Sequence, residues 1–339
     1  MNNCFIRIGF FVAVLVLAGC SAYTTEPSFY YWRTKAVLSA TEKNLLQEQK
    51  VNTLYIRFFD IDLSEDTKVP VPFGVIDSLE ALPEQLSLVP VVYITNRTFM
   101  TLNTAGIIKL AEQTVKKING LYENYTELQI DCDWSQHTKE TYFSFLKEVK
   151  SRLSKGTRLT ATIRLHQVKY PVKTGVPPVD GGMLMFYNMG DLHQLNGPNS
   201  IFDEGIANKY TAYIKGYELY LDVALPVFRW YVHYRNGTIQ GLITKKQLPD
   251  INDTAVFIKE NNITHYTVKA SQLMHGVYYR KDDVLKYEAL SDEELFHAAK
   301  LLQSNLFPES RRIVLYDLDD LNTTYYEKET FEKVFAAFN

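Results

Sequence analysis

The chain has 339 residues, 46% of them hydrophobic, 22% charged and 13% aromatic, a balance that supplies a large core and excludes an intrinsically disordered chain. Its 36 basic and 39 acidic residues give a formal charge of -3, which leaves no surplus positive field for a phosphate backbone and argues against nucleic acid as a partner. Three cysteines are too few for a disulfide scaffold.

Residues 1–19 carry one charge, Arg7, ahead of an apolar run that ends in Leu17-Ala18-Gly19-Cys20. The run is too short to span a bilayer comfortably and reads as a secretion signal. Its last four residues resemble the box of bacterial lipoprotein signals. That resemblance implies cleavage before Cys20, lipidation of its thiol and a lipid-anchored protein of the bacterial cell envelope, at the periplasmic or surface face of the outer membrane. Residues 20–28 are then expected to form a lipidated tether. With Cys20 modified, Cys132 has no partner and reads as a small core residue.

From the tether onward, strand-like and helix-like segments alternate. The expected strands are Phe29–Arg33, Asn52–Asp60, Leu88–Thr95, Glu127–Trp134, Arg158–Leu165, Met183–Tyr187, Glu218–Leu225 and Arg312–Tyr316. The expected helices include Thr41–Gln49, Thr104–Ile118, Lys139–Leu153, Asp292–Gln303 and Lys328–Phe338. Eight strands with intervening helices, and no glycine-rich turn after the first, favour a single (β/α)8 barrel spanning residues 29–339 over an open doubly wound sheet. Residues 228–243 read as two strands around Asn236-Gly237, a strong hairpin signal, so about 227–290 is expected to form a β-rich insertion after the seventh strand.

Functional side chains of such a barrel lie at the carboxyl ends of its strands. Those ends are polar and aromatic here: Arg57 near the end of the second strand, Tyr93 near that of the third, Arg164 and His166 at that of the fifth, Asp222 around that of the seventh and Tyr316 at that of the eighth. In the fourth strand a period of two sends Gln129, Asp131, Asp133 and Ser135 to one face. Two carboxylates that close raise one another's proton affinity and divide into acid and base; the competing reading is an ion network held by Arg57 or Arg164. The tyrosine excess, 23 against 19 Phe and 3 Trp, supplies rings with polar edges for stacking on sugars. Tyr30, Tyr31, Trp32, Tyr93, Tyr187, Trp230, Tyr231 and Tyr234 are the candidates. Asp131, Asp133 and His166 lack metal-ligand spacing, and no cofactor is called for.

Ile130-Asp131-Cys132-Asp133-Trp134 resembles the fourth-strand D-x-x-D-x-D-x-E signature of the chitinase-like glycoside hydrolases, and Met185-Phe186-Tyr187-Asn188 resembles their M-x-Y-D/N motif on the sixth strand. The resemblance implies a (β/α)8 fold, a carbohydrate ligand, Asp131 and Asp133 as the two inner aspartates, Tyr187 as the tyrosine that binds the sugar's N-acetyl group, and Asn188 beside it. Two positions depart from it: Leu128 replaces the leading aspartate, and Ser135 the proton-donating glutamate. In this form the chain is similar to uncharacterised secreted barrel lipoproteins of bacteria, which implies a fold and no activity. The expectation is therefore a glycan-binding barrel, with or without hydrolysis. One alternative is an active hydrolase with Asp133 as general acid and Asp131 or Asp222 as its partner. Another is an envelope accessory protein whose Trp230–Tyr234 hairpin docks a protein partner.

Overall fold

The computed structural model describes residues 24–260 and 264–339; Cys20 and the signal segment lie outside them. Eight parallel strands close on themselves: β1 (Thr25–Tyr31), β2 (Thr53–Leu63), β4 (Ser87–Ile94), β5 (Glu127–Asp131), β6 (Arg158–Arg164), β7 (Gly181–Met185), β8 (Leu221–Pro226) and β16 (Arg311–Tyr316), with β1 paired to both β2 and β16. A short strand, β3 (Pro70–Phe73), runs antiparallel on β2 and lies outside the ring. This is the expected (β/α)8 barrel. Its first strand starts four residues early, since Thr25–Ser28 pair with Arg311–Val314, and that part of the expected tether belongs to the barrel wall.

The outer layer comprises α1 (Ala40–Glu48), α2 (Thr104–Leu121), α3 (Lys139–Lys150), the short α4 (Leu165–Lys169) and α5 (Pro171–Thr174), α6 (Glu204–Thr211), α7 (Asp292–Asn305), the short α8 (Asp320–Thr323) and α9 (Lys328–Ala336). Their starts follow local chemistry. Helix α1 opens on Ser39, whose Oγ accepts from the Glu42 N–H at 3.0 Å while the Glu42 carboxylate accepts from the Ser39 N–H at 2.9 Å, a capping box two residues ahead of the expected Thr-initiated start. Helix α7 repeats it with Ser291 and Glu294. The faces turned to the barrel are apolar: Leu110, Ala111, Val115 and Ile118 on α2, and Tyr142, Phe145, Leu146 and Val149 on α3, are all buried.

Alternation along β5 sets the interior. Leu128 and Ile130 face the helices, whereas Glu127, Gln129 and Asp131 face the axis in three successive layers. In the lowest, Glu127 accepts from Thr160 Oγ1 at 3.0 Å and from Arg312 at 2.6 Å. In the middle, Tyr30 donates to Gln129. In the upper layer, Thr162 Oγ1 donates to Asp131 at 2.6 Å.

The insertion expected at about 227–290 is a second β-structure. Strands β9 (Trp230–Arg235) and β10 (Thr238–Thr244) form a hairpin whose turn residues Asn236 and Gly237 have φ of 50° and 72°, the positive-φ backbone for which Asn-Gly is suited. With β11 (Phe257–Lys259), β12 (His265–Val268) and β15 (Val284–Glu288) they build an antiparallel sheet in the order β10-β9-β15-β12-β11. A small hairpin, β13 (Gln272–Met274) and β14 (Val277–Tyr279), stands apart. Ile243, Phe257, Val268 and Leu285 give this sheet its own core. The aromatic side chains of β9 are withdrawn from solvent: Trp230, Tyr231 and Tyr234 are all buried, so they are not offered to a protein partner as the docking alternative requires.

Candidate functional site

The carboxyl ends of the strands surround a cavity of about 380 Å³, and the insertion forms one wall of it. The parallel register brings the chemistry together: Tyr93 on β4 pairs with Asp131 on β5, Arg164 on β6 with Met185 on β7, and Pro226 on β8 with Tyr316 on β16. Asp131, Arg164, Met185 and Tyr316, the last residues of their strands, all line this cavity.

The floor is aromatic and centred on Tyr316. Its ring stacks on Tyr187 at 5.6 Å between centroids and 29° between planes, and meets Tyr30 at 5.5 Å, Trp32 at 5.6 Å and Phe228 at 5.8 Å. Phe228 continues the surface to Trp230 at 5.0 Å, whose indole N–H donates to Glu288 at 2.9 Å. Among the described residues the Tyr187 hydroxyl has only the Met185 sulfur as acceptor, at 3.0 Å. A thioether is a weak acceptor, so this O–H is available to a ligand.

One side of the cavity is ionic. Arg164 ion-pairs with Asp133 and lies 3.9 Å from Asp131, so a single guanidinium bridges the two carboxylates. Burial would weaken the charge on Arg164, but Asp131 and then Asp133 outweigh that and hold it protonated. Burial raises the proton affinity of Asp131; Arg164 opposes the rise, and Asp133 adds to it less strongly than either. Burial thus acts on Asp131 more than repulsion from Asp133 does, and the ion-network reading is realised through Arg164. Strand β5 stops at Asp131, so Asp133 lies beyond the pleat with its side chain 53% exposed. Tyr93, beside both carboxylates, is pushed up to about 12 by burial and by the charge of Asp133. Ser135, where the resemblance would place a glutamate, shares a hydrogen bond with Thr138 at 3.2 Å.

Opposite this, Lys245 at the end of the β9–β10 hairpin donates to the buried Asp317 at 2.6 Å, and Asn322 donates to the same carboxylate at 2.7 Å. Burial raises the proton affinity of Asp317 and Lys245 opposes it. A second cavity of about 350 Å³, lined by Asp133, His166, Met189 and Tyr210, shares Arg164, Tyr187 and Asn188 with the first. The two make one elongated cleft. Burial lowers the pKa of His166, with Asp133 opposing.

Asp131, Asp133, Arg164, His166, Tyr187, Asn188, Trp230 and Tyr316 thus converge on the cleft, with Tyr93 at its edge. Two candidates do not. Asp222 is the second residue of β8, at the amino end of the barrel, where it is buried and accepts from the Arg312 N–H at 2.7 Å; the strand runs on to Pro226, so its carboxyl end does not lie around Tyr220–Asp222 as expected. Arg57 turns aside to Asp60, with Nε to Oδ1 at 2.7 Å. Of the candidate stacking rings, Tyr31, Tyr231 and Tyr234 belong to packed interiors: Tyr31 donates to the Lys35 carbonyl at 2.6 Å and Tyr234 to the Leu192 carbonyl at 2.7 Å. Phe228, Arg229 and Lys245 line the cavity without having stood out in the sequence, because they enter from the insertion and its approach. Among the described residues, no group of three or more His, Cys, Asp or Glu side chains could hold a metal ion.

The fold and the position of its cleft define a (β/α)8 barrel. Among solved structures the chain is similar to a chitinase from Chromobacterium violaceum ATCC 12472, with a TM-score of 0.56 and 13% identity over 94% of this chain and 98% of that one. It is also similar to the Bacillus cereus spore cortex-lytic enzyme SleL, with a TM-score of 0.55 and 11% identity over 94% and 75%. A chitinase-like agglutinin from Robinia pseudoacacia gives 0.54 and 13% over 92% and 99%. At these identities the likeness shows the fold alone. No family model and no curated protein matches the chain.

Proposed function

We propose that the cleft binds a glycan without cleaving it, and that the protein works as a lipoprotein of the bacterial envelope, anchored through Cys20. The observation that carries the binding reading is the aromatic floor of Tyr30, Trp32, Tyr187 and Tyr316 in an elongated cleft: flat rings with polar edges match sugar rings, which have apolar faces and hydroxyl rims. Solved barrels of this architecture include chitinases and an agglutinin, and both kinds of title are compatible with a saccharide in the cleft.

Among the described residues the cleft lacks a free carboxylic acid for cleavage. Glycoside hydrolysis needs a carboxylic acid positioned at the leaving oxygen. Ser135 stands where the resemblance would place that group, and a hydroxyl is no proton donor at neutral pH. Asp133 is engaged by Arg164 in an ion pair, which occupies the carboxylate. Asp131 keeps its proton more readily but is buried and committed to Thr162 and Arg164.

Isothermal titration against cell-wall and dietary polysaccharide fragments tests binding, and assay of the same mixtures for new reducing ends tests cleavage. Heat of binding with no product supports the proposal. Turnover that Asp133→Asn abolishes at unchanged melting temperature would establish the hydrolase instead, and silence across the whole panel would remove the glycan reading. Anchoring has its own test: the wild type should partition with membranes and Cys20→Ser should not, since stable attachment requires the lipid. Among the described residues no helix is long and apolar enough to cross a membrane.

A further inference from the structure

Three basic side chains line the main cavity, Arg164, Arg229 and Lys245, and they differ in how their charge is met. Arg164 is shared by Asp131 and Asp133. Lys245 is paired with Asp317 at 2.6 Å and lies 3.9 Å from Asp319. Arg229 has neither a carboxylate partner nor an oxygen acceptor among the described residues; its guanidinium carbon lies 4.6 Å from the centroid of Tyr325. Three phenols, Tyr231, Tyr287 and Tyr326, feel its charge. Burial raises the pKa of all three, so none supplies an anion at neutral pH.

A half-buried guanidinium has lost hydration, and here no protein anion replaces it. Its contact with a ring face leaves the N–H donors without an acceptor, and those donors form a planar fork whose complement is a planar anion. Resting on the glycan-binding reading, we propose that the ligand is an acidic glycan whose carboxylate is read by Arg229 while its sugar ring lies on the Tyr187–Tyr316 floor. The same cavity holds both features, so one saccharide spans them. A bidentate Arg–carboxylate contact adds orientation to affinity. Arg229 is thereby a specificity-determining residue, and a neutral glycan of the same backbone loses this contact while keeping the stacking.

The experiment is isothermal titration of the full chain in detergent against three oligosaccharides of one backbone: neutral, uronate-bearing and sulfate-esterified. The uronate form should bind about tenfold more tightly than the neutral one, an advantage that shrinks as NaCl rises from about 0.05 to about 0.5 M. Arg229→Gln should lower the uronate-to-neutral affinity ratio about tenfold, and Arg229→Lys, which keeps the charge and loses the fork, should lower it by less. The salt series needs no variant, so the proposal remains testable if Arg229→Gln fails to fold. Equal binding of uronate and neutral forms would overturn the acidic specificity and leave the glycan reading standing. Preference for the sulfate ester would overturn the carboxylate assignment, and failure of all three to bind would overturn both readings.

Discussion

Replacing Asp222 by Asn should stabilise the protein at neutral pH and leave its ligand binding intact. Asp222 is 3% exposed, at the closed end of the barrel. Burial is the largest influence on it; the Arg312 N–H opposes, the nearby Glu127 charge adds, and the result is a rise from the ordinary 3.8 to about 6. The folded carboxyl therefore keeps its proton to higher pH than the unfolded one, and ionising it costs the folded state. That cost is absent below about pH 4, accumulates as pH climbs to about 6 and is complete at pH 7. At about 1.4 kcal/mol per pH unit the rise corresponds to about 3 kcal/mol. Asparagine keeps an oxygen for the Arg312 N–H, 2.7 Å away in the wild type, and carries no charge. Urea unfolding of both proteins at pH 4 and pH 7 should show the variant gaining up to about 3 kcal/mol on the wild type between the two conditions. The reasoning fails if the variant instead loses stability relative to the wild type between pH 4 and pH 7, which would mean that Arg312 and Arg158 hold the ionised carboxylate as a favourable ion pair. Loss of glycan affinity would refute the placement of Asp222 away from the cleft.

Arg164→Met should destabilise by about 3 kcal/mol, chiefly by leaving the buried Asp131 without its cation, and the deficit should grow as pH rises because ionised Asp131 then stands alone. Adding Asp131→Asn should recover part of it in a double-mutant cycle; no recovery would place the loss in packing. The Asp133 arm contributes little to this sum, since its side chain is 53% exposed and exposed pairs are worth at most about 1 kcal/mol. Tyr187→Phe removes a hydroxyl whose protein acceptor is a thioether, so unfolding should be nearly unchanged while glycan affinity falls about fivefold, the value of about 1 kcal/mol for one hydrogen bond. Equal affinities by titration would exclude that hydroxyl from the ligand's contacts.

Local pattern was enough for the architecture. The alternation of strand-like and helix-like segments, the Asn236-Gly237 turn and the apolar faces of α2 and α3 follow from residue spacing and turn chemistry, which act within one or two turns of chain and survive in any tertiary context. The inward direction of Asp131 was legible for the same reason, since a period of two admits only two faces. Where strands stop was not legible, because hydrogen bonds to neighbouring strands decide it. β5 releases the chain at Asp131 and sets Asp133 outside the barrel, and β8 begins at Leu221 and sends Asp222 to the opposite end. The charge state of the cleft was also beyond the sequence. Arg164 lies 31 residues from Asp133, and Lys245 lies 72 from Asp317. Burial in a common cavity makes partners of the members of each pair, and it leaves Arg229 without one.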